Sequence, residues 1–281
     1  NVKSMILIAD SGTTKTDWAL VEHGRIVQRM ATQGINPFHQ DADTIAAVLT
    51  EELLPQLGEA EPGQVCFYGS GCRKEMVGEM ENILGRTFPH SRDIEVQGDL
   101  VAAARAVCGR GEGIACILGT GANSCLYDGS RVVLNTPPLG YILGDEGSGA
   151  VLGRLFLNAV FKGQLPQTVA HDFLHDSGLT LDEVIRRVYT EPMANRFLAS
   201  LSVYIHRLLH YGAVNRLVVD NFRSFFRRNV APYGRCDLKV GAIGSVAYYY
   251  GPQLAEAACA EGFSLGLVVR SPMEGLVRFH C

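Results

Sequence analysis

Short apolar runs separated by turn residues fill the first hundred positions of the chain. Runs of alternating apolar and polar residues predict strands, which in chain order are 6–10, 17–22, 25–30, 64–68 and 93–96. Apolar residues at helical spacing predict helices at 43–57, 74–84 and 99–107. His23-Gly24 is the predicted turn between the second and third strands, and Asp41 or Asp43 caps the first helix.

The opening pattern then occurs a second time. A strand at 113–118, a glycine and threonine turn, and a hairpin of strands at 124–127 and 131–134 repeat the order seen at 6–30. The repeat predicts a duplicated β-β-β-α-β-α unit, with two lobes facing each other across a cleft. We place the boundary near Arg110-Gly111, which gives an N-terminal lobe of 1–110 and a C-terminal lobe of 111–281.

Beyond Ser148 the pattern becomes mainly helical. The predicted helices are 148–161, 166–176, 180–189, 195–211, 213–227 and 252–261, and a strand is predicted at 238–243. Residues 275–281 are compatible with a further helix that docks back on the first lobe. The fold class is therefore α/β, with a helix-rich insertion in the second lobe.

Composition narrows the classes of partner. Hydrophobic residues make up 47% of the 281 positions and charged residues 19%, a balance that can bury a large core. The net charge of −4 gives no reason to expect nucleic-acid binding, and the apolar stretches are too short or interrupted for a membrane span. The 8 cysteines include no C-x-x-C pair, which fits reduced thiols in a cytoplasmic protein.

The segment after the first strand carries the first candidate chemistry. Asp10, Gly12, Thr13 and Lys15 bring a carboxylate, free amides, a hydroxyl and a cation into one small volume. Such a volume suits a nucleotide phosphate with its Mg²⁺, because carboxylates bind the metal and amides bind phosphate oxygens. A tight hairpin also needs glycine, so this segment alone leaves both interpretations open.

Two further glycine turns strengthen the nucleotide interpretation. Gly119-Thr120-Gly121 stands at the equivalent place in the repeat, where glycine lets the backbone approach an anion. Gly244 and Ser245 lie between a strand and a helix and are candidates for holding the adenine and ribose. An ordinary strand-to-helix turn explains that third segment nearly as well.

Polar residues beside these turns are candidates for contact with a substrate. Asp99 opens an alanine-rich helix and is either its N-cap or a general base. Asn36 follows the third strand, and Asn123 follows the second glycine turn. Asp145 lies with Glu146 in a glycine-rich run, which indicates a tight loop with little side-chain bulk.

Taken together, the motifs resemble those of the N-acetylglucosamine kinases. These belong to the BadF/BadG/BcrA/BcrD group of the actin/Hsp70/sugar-kinase ATPase superfamily. The resemblance spans nearly the whole chain, and the segments that carry it are 10–17, 34–37, 98–104, 119–124, 140–149 and 241–246. It implies a two-lobed actin-like ATPase fold of duplicated ribonuclease H-like units. It also implies an ATP-dependent kinase that phosphorylates the 6-hydroxyl of an amino sugar, with N-acetylglucosamine favoured.

The resemblance assigns roles to individual positions. Asp10 organises Mg²⁺–ATP, directly or through water, and Asp99 is the general base. The nucleotide site comprises Asp10, Gly12, Thr13, Lys15, Gly119, Thr120, Gly244 and Ser245. The sugar site comprises Asn36, Ser70, Asn123 and Asp145. Ser11 and Ala122 depart from the family pattern of glycine and serine at these positions, and a homodimer is compatible with the resemblance.

Several alternatives stay open at this point. Glucosamine or N-acetylmuramic acid could replace N-acetylglucosamine, since a few contacts around the ring substituents decide the selectivity. An activator ATPase of 2-hydroxyacyl-CoA dehydratases shares the superfamily unit, but Cys108, Cys116 and Cys125 show no motif for its iron–sulfur cluster. A non-catalytic sugar sensor is less favoured, because both Asp10 and Asp99 are present.

Overall fold

The computed structural model describes residues 5–12 and 14–281, which form two compact units. The first unit contains the residues up to Arg110 together with Pro272–Cys281, and the second contains Gly111–Ser271. The predicted second lobe ran to residue 281, whereas the structure groups the last ten residues with the first unit. The reason is apolar packing: Met273, Leu276 and Val277 are buried in the core of the first unit.

The first unit is built on a five-stranded mixed sheet. Its strands are β1 (Ile6–Ser11), β2 (Lys15–Glu22), β3 (Arg25–Gln33), β4 (Gln64–Gly69) and β5 (Asp93–Gly98). They lie in the order β3-β2-β1-β4-β5, where β1 pairs in parallel with β4 and β4 with β5, while β1–β3 form antiparallel hairpins. The strands at 6–10, 17–22, 25–30, 64–68 and 93–96 were therefore predicted within a few residues.

Helices cover both faces of this sheet. They are α1 (Ala42–Ala47), which continues through a π-helical turn (Val48–Leu53) into α2 (Leu54–Leu57), then α3 (Lys74–Thr87), α4 (Asp99–Cys108) and the C-terminal helix (Met273–His280). Successive side chains of a strand point to opposite faces, so Leu7 and Ala9 of β1 join one core while Ile6 and Ile8 join the other. The Asp41 carboxylate caps α1 by accepting a hydrogen bond from the Thr44 amide.

The second unit repeats the sheet. Its strands are β6 (Gly113–Leu118), β7 (Ala122–Tyr127), β8 (Val132–Leu134), β9 (Lys239–Ile243) and β10 (Ser264–Val269). They lie in the order β10-β9-β6-β7-β8, with β6 parallel to β9 and β9 parallel to β10. This is the connectivity of the first sheet, and it confirms the predicted α/β class.

Most helices of the second unit lie between β8 and β9 in the chain. The helices of the second unit are α5 (Gly140–Leu143), α6 (Gly149–Phe161), α7 (Gln167–Ser177), α8 (Leu181–Tyr189), α9 (Ala194–Ser200), α10 (Ser202–Arg207), α11 (Gly212–Phe225), α12 (Ser245–Tyr249) and α13 (Gly251–Ala260). The predicted helix at 195–211 is two helices that meet at Leu201, whose side chain is buried in the core of this unit. Among the described residues, none of the helices has both the length and the apolar character needed to span a bilayer.

Candidate active site

The carboxyl ends of three parallel strands in the first unit bring three of the predicted residues together. In the register of the sheet, Asp10 lies beside Tyr68, and Gly69 lies beside Gly98. Ser70 follows β4 directly, and Asp99 follows β5 as the first residue of α4. Because parallel strands end at the same edge of a sheet, Asp10, Ser70 and Asp99 share that edge, where open α/β sheets bind their ligands.

The two carboxyl groups at this edge hold protons more strongly than usual. Burial raises the pKa of Asp10 to about 7, and the charges of Asp17 and Asp99 add to the effect. Burial also raises the pKa of Asp99, although its own amide and that of Leu100 act in the opposite direction. Asp99 is not the N-cap of α4, since Gly98 occupies that position. Its carboxyl group lies in the first turn, where it accepts hydrogen bonds from those two amides.

Ser70 adds a buried hydroxyl to the same edge. Its Oγ has no hydrogen-bond partner among the described residues, although its amide donates to the Ser11 carbonyl at 3.0 Å. A buried hydroxyl without a partner costs free energy, and a bound polar molecule would supply the missing hydrogen bond. This orphaned atom fits the sugar-binding role predicted for Ser70.

The loop that carries Asn36 is fixed by Ser11. The Ser11 hydroxyl bonds Thr16 Oγ1 at 2.6 Å and the Ile35 carbonyl at 2.8 Å, and it accepts a hydrogen bond from the Ile35 amide at 3.0 Å. Asn36 is 7% exposed, and its Oδ1 packs so closely on Gly71 that a Cβ there would lie 2.0 Å away. Ser11 thus holds the loop that carries Asn36.

The first phosphate turn is only partly described. The Gly12 amide donates to the Lys15 carbonyl at 3.0 Å, so the turn uses it internally. Lys15 Nζ lies 2.5 Å from Asp17 Oδ1, and both side chains are mostly exposed. Thr13 lies outside the described residues. The structure therefore gives Lys15 a partner, which a nucleotide would have to replace or share.

The second glycine turn, Gly119-Thr120-Gly121, lies between β6 and β7 and is attached to the start of α6. Gly149 and Ala150 of that helix donate their amides to the Gly119 and Thr120 carbonyls, at 2.8 and 3.1 Å. A Cβ at Gly119 would meet nothing within 4 Å, and the Thr120 side chain is exposed. The turn consequently leaves open space beside its backbone, as a phosphate requires.

Asp145 and Asn123 lie next to this turn. Asp145 adopts φ of 53°, its Oδ1 accepts a 3.4 Å hydrogen bond from the Ala122 amide, and burial raises its pKa. Its carboxylate also lies against Gly121, where a Cβ would be 3.1 Å from Oδ2. The Asn123 Oδ1 accepts from Asn135 Nδ2 at 2.8 Å. Asp145 therefore keeps most of its hydrogen-bonding capacity for a ligand.

Gly244 and Ser245 form the third turn. Gly244 has φ of +116°, and a Cβ there would lie 2.2 Å from the Leu118 carbonyl oxygen, so glycine is required for β9 to approach the end of β6. Ser245 lines a cavity of about 410 Å³ together with His206, Tyr249 and Tyr250. The aromatic lining and the size suit a nucleoside.

Two asparagines that sequence reasoning missed support the Asp145 loop. Asn221 is 2% exposed, and its Oδ1 accepts a hydrogen bond from the Gly147 amide at 3.1 Å. Asn229 Nδ2 donates to Glu146 Oε2 at 3.2 Å. In the sequence, the local sign of such a supporting role is an asparagine among the apolar residues of a helix, as at Asn221 beside Phe222.

Comparisons with known proteins bear on the fold and the family of the chain. No family profile and no curated protein sequence matches the chain. The structure of a proposed N-acetylglucosamine kinase from Porphyromonas gingivalis is 49% identical with a TM-score of 0.94, covering 98% of both chains. A second proposed N-acetylglucosamine kinase, from Chromobacterium violaceum, is 18% identical with a TM-score of 0.67 over 99% of both chains. The ethanolamine utilization protein EutJ from Carboxydothermus hydrogenoformans has a TM-score of 0.53 at 13% identity, covering 97% of this chain and 89% of its own.

The more distant of these structures show the fold, which is that of the actin-like ATPases. The similarity to the Porphyromonas gingivalis structure shows an ATP-dependent sugar kinase of that fold. The Porphyromonas gingivalis structure also shows the family, because its identity and coverage are high. The chain belongs to the N-acetylglucosamine kinase family.

Proposed function

We propose that the protein transfers the γ-phosphoryl group of ATP to the 6-hydroxyl of N-acetylglucosamine. The observation that carries this proposal is the shared strand edge of Asp10, Ser70 and Asp99, with two carboxyl groups and one unpartnered hydroxyl. The name of the Porphyromonas gingivalis protein supports the choice of sugar. The proposal assigns the base, metal binding and part of the phosphate contacts to the first unit, and the other phosphate contacts and nucleoside binding to the second.

Asp99 is the proposed general base. Its raised pKa makes it a better proton acceptor than an ordinary aspartate, because a stronger conjugate acid goes with a stronger base. In phosphoryl transfer the transition state is loose, so the base mainly orients the hydroxyl and accepts its proton late. Asp99 takes the 6-hydroxyl proton as that oxygen bonds to the γ-phosphorus and ADP leaves.

Asp10 is the proposed Mg²⁺ residue, directly or through water. Burial is the main cause of the raised pKa of Asp10, and repulsion from Asp17 and Asp99 adds to it. A divalent cation suits this carboxyl group, because it would offset that repulsion. Oxygen donors are also the ligands Mg²⁺ prefers. When bound, the ion would neutralise phosphate charge, while the protein supplies the Asp10 carboxylate.

The glycine turns are the proposed nucleotide contacts. Gly119 and Thr120 have the open space and the exposed hydroxyl that a phosphate needs. Gly244 and Ser245, beside the aromatic cavity, would hold the nucleoside. Gly12, Thr13 and Lys15 complete the phosphate contacts in this proposal, with Lys15 shared between Asp17 and the nucleotide.

Asn36, Ser70, Asn123 and Asp145 are the proposed sugar contacts. The first two offer an amide and a hydroxyl at the carboxyl edge of the first sheet, and the last two offer an amide and a carboxylate beside Gly121. A sugar ring with several hydroxyls and an acetamido group needs such a mixture of donors and acceptors. The activator alternative is less favoured, because Cys108, Cys116 and Cys125 show no cluster motif and the last two are 0% exposed within the second sheet.

The test is ADP release from Mg²⁺–ATP across a panel of sugars: none, glucose, glucosamine, N-acetylglucosamine, N-acetylmannosamine and N-acetylmuramic acid. We expect turnover with N-acetylglucosamine to exceed that with every other sugar, and ³¹P NMR of the product to show a 6-phosphate ester. Preference for another amino sugar would replace the substrate and keep the kinase. ATP hydrolysis that no sugar stimulates would contradict the kinase proposal itself.

A further inference from the structure

A second cluster of polar side chains lies away from the strand edge, under the C-terminal helix. Cys66 projects from β4, Glu95 from β5 and His280 from the end of that helix. Cys66 is fully buried, and Glu95 and His280 are partly buried. The kinase proposal uses none of the three.

The ligand atoms of this cluster have the spacing of a metal site. One donor atom from each residue lies within 4.8 Å of the other two, and Cys66 Sγ lies 3.7 Å from His280 Nδ1. A tetrahedral zinc ion with bonds of about 2.3 Å to sulfur and about 2.0 Å to nitrogen separates those two atoms by about 3.5 Å. We propose that Cys66, Glu95 and His280 form a site for a zinc-like transition-metal ion.

The surrounding hydrogen bonds match those of a metal-bound histidine. His280 Nε2 lies 2.7 Å from the Tyr68 hydroxyl, which also accepts a 2.6 Å hydrogen bond from Arg105 Nη1. With Nδ1 on the metal, Nε2 carries the hydrogen and donates it to the Tyr68 oxygen. A histidine ligand usually has such an outer partner, which fixes both its ring and its tautomer.

Glu95 can serve Arg105 and a metal together. Arg105 Nη2 lies 2.7 Å from Glu95 Oε1, and Gln97 Nε2 donates to the same oxygen at 3.2 Å. Both contacts use Oε1, so Oε2 is the oxygen that would bind the ion. The Arg105 charge opposes cation binding, whereas the thiolate and carboxylate favour it. The ion displaces the proton of the Cys66 thiol as the sulfur–metal bond forms.

The position of the site suggests what it does. Ser70 follows Cys66 on the chain by four residues, and Asp99 follows Glu95 by four. Two of the metal ligands would therefore lie on β4 and β5, the strands that lead to the candidate active site. The third ligand belongs to the C-terminal helix, which packs on this unit through Met273, Leu276 and Val277. A bound ion would therefore fasten that helix to β4 and β5. The Cys66 sulfur is a soft ligand and the His280 imidazole a borderline one, so the site favours zinc over magnesium.

The experiment uses Co²⁺ as a spectroscopic substitute for zinc in the intact protein. We expect the near-ultraviolet absorption of a cobalt–thiolate bond, its loss on addition of Zn²⁺, and a higher melting temperature with zinc. Cys66→Ser should abolish the band, and His280→Gln should weaken cobalt binding at least about tenfold.

Two control variants separate this site from surface binding. Cys236→Ser removes an exposed thiol and should leave the band unchanged. The double variant His171→Ala with His175→Ala removes an exposed pair of stacked histidines and should do the same. Absence of a thiolate band in the wild-type protein, or a band that survives in His280→Gln at unchanged affinity, would overturn the proposal. His280→Gln changes a partly exposed residue, so it remains informative if Cys66→Ser does not fold.

Discussion

The two sheets have the same strand order and different residues at corresponding strand ends. β1 and β6 are six residues long, and three residues separate each from the strand that follows it in the chain. The penultimate residue is Asp10 in β1 and Ile117 in β6. The strand that ends beside Asp10 leads to Ser70, whereas its counterpart β9 leads to Gly244, which packs directly on the Leu118 carbonyl.

This difference separates two tasks that one scaffold supports. In the first unit the strand ends concentrate carboxyl groups, whose raised pKa values suit proton transfer and metal binding. In the second unit glycines bring backbones together and leave open space at Gly119, which suits an anion. A repeated fold thus carries different chemistry through a few residues at equivalent positions. Variants in each unit should therefore fail in different ways.

The largest effect is expected from Asp99→Asn. The amide keeps the shape of the carboxylate but cannot accept the sugar proton, so kcat should fall by about 10²–10⁴ while the fold is retained. The KM for ATP should change less than kcat, since Asp99 is not itself among the proposed nucleotide contacts. Steady-state ADP release and thermal unfolding measure both quantities.

Asp93→Asn is the matched control, because Asp93 lies at the opposite end of the same strand and is exposed. It should keep near wild-type turnover. If Asp99→Asn turned over as fast as Asp93→Asn, Asp99 would not be the base. The proposed division of chemical tasks between the two units would then lose its main support.

The next largest effect is expected from Gly244→Ala, and it concerns stability. Its positive φ and the 2.2 Å approach to Leu118 O together predict a loss of about 2–4 kcal/mol in the free energy of unfolding. Gly119→Ala, in the same unit, meets no atom within 4 Å and should change stability by less than about 1 kcal/mol while raising the KM for ATP.

Urea denaturation and ATP titration of both variants distinguish the two roles. If Gly244→Ala unfolds like the wild type, the close approach of β9 to β6 is not a constraint on the fold. If Gly119→Ala leaves the KM for ATP unchanged, the phosphate role of that turn is wrong.

How far the sequence predicted this molecule depends on the range of the interactions involved. The segment around Asp10 was recognisable because a strand, an acid and a glycine turn are adjacent in the chain. The family resemblance and the α/β class, both drawn from such local motifs, are confirmed by the comparison with the Porphyromonas gingivalis structure and by the two sheets. The individual site residues remain predictions.

Interactions over long separations were beyond local patterns. Asn221 supports Gly147 from 74 residues away, and its role depends on how α11 packs against the loop. The break between α9 and α10 depends on the buried contacts of Leu201. Hydrophobic periodicity marks such residues as apolar, but it does not identify their neighbours.

The smallest effect is expected in the pH dependence of stability, where one carboxyl group from each unit should behave oppositely. The pKa of Asp10 is raised to about 7, so the folded protein binds this proton more tightly than the unfolded chain does. Stability is therefore lost as the pH rises from about 4 to about 7, and Asp10→Asn should stabilise the metal-free protein by about 1–3 kcal/mol above pH 7.

The pKa of Asp128, in the hairpin of the second sheet, is lowered to about 2 by the amides of Arg131 and Ser130 and the Ser130 hydroxyl. Its contribution is present above about pH 4 and disappears as the pH falls toward 2, so Asp128→Asn should destabilise only above that range. Melting temperatures of the wild type and both variants between pH 3 and pH 9, recorded in EDTA, measure how each carboxyl group changes stability with pH. Parallel curves for Asp10→Asn and the wild type would show that folding does not raise the pKa of the Asp10 carboxyl group.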